Sequence, residues 1–105
     1  MKFDPTEIAE RMRLAGEEWS DLDAAANMLE ETRKSVLAEL MNQAEGSMAA
    51  RESEALADPV YKLHITNMVT ARKEANRARV KYDTAKAWVE LVRTSEATKR
   101  AELRG

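Results

Sequence analysis

The stretch Ile8–Leu40, IAERMRLAGEEWSDLDAAANMLEETRKSVLAEL, decides the fold class of this chain. Its register runs Ile8, Met12, Ala15, Trp19, Leu22, Ala26, Leu29, Arg33, Val36 and Leu40, in alternating steps of four and three. A repeat of this kind holds one apolar stripe of a helix against a partner helix, whereas a half-buried strand would alternate every second residue. Arg33 alone interrupts the stripe. Its aliphatic stem can cover an opposing alanine, or its charge can set register and partner choice.

Toward the N-terminus the punctuation is explicit. Asp4 suits an N-cap, and Pro5 suits the first helical position, where its missing N–H is no loss. Glu7 stands three residues after Asp4 as in a capping box, and Phe3 with Ile8 occupies the two positions of a hydrophobic staple. Gly16 lies off the stripe and lowers helix propensity by about 1 kcal/mol relative to alanine, so it is where this helix can kink. Gly46 suits the left-handed position after a helix end, which predicts a first helix over about residues 5–45. Residues 47–57, SMAARESEALA, are read as a short helix or an ordered connection.

Asp58-Pro59 repeats the starting signal, and a second register follows at Tyr61, His64, Met68, Ala71, Ala75, Ala78, Tyr82, Ala85, Val89 and Val92. No glycine or proline interrupts it before Gly105, which predicts one helix over about residues 59–103, roughly 65–70 Å long. Two helices of similar length joined by about a dozen residues fold back antiparallel. The predicted fold is therefore all-α: one domain, residues 1–105, a long antiparallel helical hairpin of coiled-coil type. Matching large residues to small ones sets opposed positions at numbers summing to about 104, with Trp19 beside Ala85, Leu22 beside Tyr82, Leu29 beside Ala75 and Arg33 beside Ala71.

Composition agrees. In 105 residues, 34% are charged and 5% aromatic, with three glycines and two prolines, as in a coiled coil or bundle. The absence of cysteine excludes a disulfide framework and a thiolate metal site. The opening Met1-Lys2-Phe3-Asp4 has no signal-peptide core, and no run approaches about 18 apolar residues, so a cytoplasmic chain without a membrane span is expected. The net charge of −2 hides an acidic first half and a basic second half, which suggests two elements that attract each other.

Catalytic and metal-binding classes find no support in the residues. His64 is the only histidine, and the residue three before it is Tyr61, where a di-metal bundle needs glutamate. It is read as a histidine of the seam. No phosphate-binding glycine loop, no Ser/His/Asp set and no carboxylate dyad can be assembled, so no enzyme activity, cofactor or metal is expected.

Two surfaces remain as candidates for binding. Arg72, Arg79, Lys86, Arg93 and Arg100 recur every seven residues along one edge of the second helix, over about 40 Å. That stripe can follow a nucleic-acid backbone, or it can pair with the acids Asp23 and Glu30 on the facing edge. In the expected register Glu30 reaches Arg72 or Arg79, and Asp23 reaches Arg79 or Lys86. The acidic pI and the few aromatics favour pairing. The second surface is apolar: Leu14, Met28, Leu37, Met41, Met48, Trp88 and Leu91 lie off the seam and predict a protein interface, first of all self-association into an oligomeric bundle.

The stretches Leu29–Met41 (LEETRKSVLAELM) and Arg79–Glu102 (RVKYDTAKAWVELVRTSEATKRAE) resemble small helical proteins encoded by tailed bacteriophages and prophages. The likeness implies a bacterial host cytoplasm and an accessory role in DNA recombination or replication, through a phage or host DNA-metabolism protein. It brings no catalytic residues. Direct DNA binding by the basic stripe is the first alternative. The second is an acidic DNA mimic that presents Glu7, Glu10, Glu17, Glu18, Asp21, Glu30 and Glu31 to a host nucleic-acid enzyme.

Overall fold

A computed structural model describes residues 4–104. They form three helices, α1 (Pro5–Gln43), α2 (Met48–Ala57) and α3 (Pro59–Arg104), and no strand occurs among the described residues. Among the described residues, no helix is long and apolar enough to cross a membrane.

Each junction has a local cause. Oδ1 of Asp4 accepts the N–H groups of Thr6 at 3.0 Å and Glu7 at 3.4 Å, satisfying two donors that the first turn leaves open. The reciprocal half of the capping box is not made, because Glu7 Oε1 instead accepts a hydrogen bond from Arg11 Nη2 at 3.0 Å, one turn on. Phe3, and with it the staple to Ile8, lies outside the described residues. After α1 the chain turns at Gly46, whose φ of +108° disfavours any residue with a Cβ. Ser47 then caps α2, its Oγ accepting the Ala50 N–H at 3.2 Å.

Asp58 serves two helices at once. Its backbone N–H donates to the Ala55 carbonyl and closes α2, while its Oδ1 accepts the Val60 N–H at 2.8 Å and opens α3. The extended backbone at Asp58 is what a residue before proline prefers.

The chain divides into two compact units. One is Leu22–Ala75; the other comprises the chain up to Asp21 and from Asn76 onward. In each, α1 and α3 run antiparallel and meet along the seam. Every seam position among the described residues is buried or half-buried, with the single exception of Arg33, which is exposed. The buried apolar residues are Ala15, Ala26, Leu40, Ala44, Ala55, Tyr61, Ala75, Ala78 and Val92, so alanine dominates and no large side chain is fully enclosed among the described residues. Close approach of two helices, rather than bulk, makes this core.

In the Leu22–Ala75 unit, Leu40, Ala55 and Tyr61 form a cluster with Val36, Leu37, Met41 and Ile65 packed against it. Leu37 and Met41 thus pack, half-buried, against the chain's own core. α2 is the reason: it sets Ala55 against the flank of α1 that carries them. His64 lies half-buried in the same unit and donates its Nε2 proton to the Leu29 carbonyl at 2.8 Å.

In the other unit, Trp19 and Tyr82 stack at 5.4 Å between ring centroids with planes tilted by 31°. This corrects the expected register, which placed Ala85 beside Trp19 and Leu22 beside Tyr82. Gly16 explains the shift. A Cβ there would stand 3.3 Å from Tyr82 Cε2, so the missing side chain is the space that the phenol edge fills. α1 also runs through Gly16 without a break. Large still meets small, but the small partner is Gly16.

Candidate functional site

The basic edge of α3 and the apolar residues outside the seam are the candidate surfaces, and the structure treats their members differently. Arg72 is largely committed. Its Nε and Nη2 donate to the two carboxylate oxygens of Glu30 at 2.9 and 2.7 Å, its Nη1 donates to Asp23 at 2.7 Å, and Nη2 also reaches Asn27 Oδ1 at 2.7 Å. A bidentate arginine–carboxylate pair of this kind is the strong, geometrically specific form of ion pairing. The pairing with Glu30 follows the expected register; the pairing with Asp23 does not, since Asp23 was expected to face Arg79 or Lys86. Arg72 is therefore a clamp between α1 and α3, with four of its five N–H donors engaged.

Arg72 holds the Glu30 carboxyl below the ordinary carboxylate range, chiefly through these hydrogen bonds and against the opposing effect of desolvation. The guanidinium is correspondingly raised by Glu30 and then by Asp23. Because the folded-state value of Glu30 is depressed, its contribution is complete above the unfolded-state value and is lost as pH falls through the folded one. Thermal melts should show wild type falling toward Arg72→Met as pH drops below about 4. A Tm difference between the two that is unchanged down to pH 2.5 would show that the clamp adds nothing through Glu30.

Further along α3 the cations are freer. Arg79 lies 4.0 Å from Asp83 and places its guanidinium 6.0 Å from the centroid of Trp19, covering that ring. Arg93 makes only a 3.8 Å contact with Glu90 on its own helix. Lys86 and Arg100 are exposed, with no carboxylate in ion-pair range among the described residues. On α1 the acids are largely engaged: Glu7 with Arg11, Glu10 and Glu17 with Arg13, and Glu18 with Lys81 at 3.3 Å. The Arg13 pair lowers the Glu10 carboxyl mainly by hydrogen bonding.

The apolar residues sort as clearly. Trp88 and Leu91, 42% and 53% exposed, line a shallow open groove together with Val80, Asp83, Thr84 and Ala87. Val80, Thr84, Ala87 and Leu91 repeat at four, three and four residues, a second register on the side of α3 away from the seam. Reasoning from sequence missed Val80, Thr84 and Ala87, although that spacing was available. Leu14 is exposed on α1 of the same unit, while Met28 and Met48 are exposed in the Leu22–Ala75 unit. Leu56, Val60 and Leu63, also unforeseen, are exposed across the junction of α2 and α3.

No three His, Asp or Glu side chains among the described residues converge as a metal site would require. What the surfaces offer is an apolar groove and a row of cations. Comparison with family models, curated proteins and solved structures finds no match for this chain.

Proposed function

We propose that the chain is a non-enzymatic helical interaction protein that acts through protein–protein contacts, with its own copy as the first partner. One observation carries this reading: exposed apolar residues repeat in register on the side of α3 away from the seam. Among the described residues six of the nine buried apolar residues are alanine, whereas Val80, Leu91, Leu14, Val60 and Leu63 are exposed. Exposed apolar residues gathered in register, as on α3, mark an interaction face; scattered ones do not. The resemblance to phage-encoded helical proteins supports an accessory role in DNA recombination or replication within a bacterial cytoplasm.

Sedimentation equilibrium over micromolar to millimolar concentrations tests the self-association. Wild type should assemble, and Val80→Lys/Leu91→Lys should sediment as a monomer with unchanged far-ultraviolet circular dichroism. A monomeric wild type at every concentration would overturn the self-association.

A further inference from the structure

We propose that the basic edge along the C-terminal part of α3 binds duplex DNA through its phosphate backbone, at a site separate from the apolar groove. Three observations place it there.

The first is position. Trp19 and Gly16 both stand beside Tyr82, with α1 and α3 antiparallel. At equal rise along both helices, Asp4 and Pro5 come level with about residue 95 of α3. Lys86 and Arg93 thus lie on turns of α3 beside the start of α1, Arg100 and Arg104 on later turns, and every residue from 93 to 104 is exposed.

The second is arrangement. At about 100° per residue, Lys86, Arg93, Arg100 and Arg104 fall within an arc of about 40°. Successive members of the first three are about 10 Å apart along the axis. The groove residues Val80, Thr84, Ala87 and Leu91 centre about 150° away around the same helix, so a partner on the groove leaves this edge open.

The third is availability. Arg72 is largely engaged by Glu30 and Asp23, and Arg79 lies over Trp19. Of the edge beyond them, only Arg93 has a carboxylate near it, at 3.8 Å on the same helix. Lys86, Arg100 and Arg104 have none in ion-pair range among the described residues. Cations without internal partners can displace the counterions of a duplex, which is what drives phosphate binding.

Fluorescence anisotropy with a labelled 24-base-pair duplex tests the assignment, using the full chain in 50–200 mM KCl. Wild type should bind, and log affinity should fall against log salt with a slope near −3 to −4, as expected for about four phosphate contacts. The Lys86→Gln/Arg93→Gln/Arg100→Gln/Arg104→Gln variant should lose at least tenfold in affinity at 50 mM KCl and most of the slope. Arg11→Gln/Arg13→Gln should bind within twofold of wild type, and circular dichroism should show both variants still helical. No binding at 50 mM KCl overturns the proposal, as does a quadruple variant that binds like wild type. Competition by polyglutamate as effective as unlabelled duplex also overturns it, because an acidic protein would then be the better partner. The Val80→Lys/Leu91→Lys variant, tested in parallel, separates the two surfaces: loss of self-association with retained DNA affinity leaves this inference standing on its own.

Discussion

Tyr61→Ala should destabilise the protein by about 3–5 kcal/mol, the largest loss expected from any single truncation in the chain. Tyr61 is 8% exposed and belongs to the one cluster where bulky side chains gather, with Leu40 and Ala55 at its centre. Truncation removes the ring and leaves a cavity among Leu40, Val36, Leu37, Met41 and Ile65. In a chain of this length such a loss lowers Tm by more than about 12 °C. Tyr61→Phe separates packing from hydrogen bonding, since the phenol makes no hydrogen bond within the described residues; it should stay within about 0.5 kcal/mol of wild type. A large Tyr61→Phe effect, measured by urea unfolding, would show that the hydroxyl rather than the ring matters.

The second large effect comes from adding atoms. Ala26 is completely buried on the seam, while Ala25, one residue away around α1, is exposed. Ala26→Leu forces three further carbons between two helices held close by alanine, at a cost of about 1–3 kcal/mol. Ala25→Leu carries the same change in helix propensity into solvent and should be close to neutral. In urea, Ala26→Leu should lower the midpoint with the slope unchanged, and Ala25→Leu should superimpose on wild type. Equal behaviour of the two variants would mean that the seam is not closed at Ala26.

The seam was legible because it depends only on spacing. A 3.5-residue repeat names its own face, so the positions from Ile8 to Leu40 and from Tyr61 to Val92 needed no knowledge of their partners. Register was not legible in the same way. Sliding one heptad seam along another keeps both apolar faces together, and the pattern alone does not choose among the slides. The choice is made by Tyr82, whose ring fits where Gly16 lacks a side chain, and by Arg72, which joins Asp23 to Glu30. Glu30 was found from its flanking position; Asp23 came into reach only with the observed register.

Leu37 and Met41 show a related difficulty. Off-seam apolar residues on a two-helix hairpin look available for a partner, but α2 turns that flank inward. Where residues 47–57 would pack was not written in their spacing. The outer stripe of α3 had the opposite problem. Its repeat was present, but Thr84 and Ala87 are weakly apolar, and the stronger seam pattern on the same helix overshadowed it.

On the proposed reading the surface, rather than an internal site, is the functional part of the chain, with the Val80–Leu91 face as its first contact. The direct test is a concentration series of nitrogen-15 correlation spectra on the full chain. The account predicts progressive shifts or broadening confined to Val80, Thr84, Ala87, Trp88 and Leu91 and their immediate neighbours, with the amides around Leu56, Val60 and Leu63 unmoved. Spectra that do not change with concentration, or changes centred on Leu56–Leu63 instead, would contradict it.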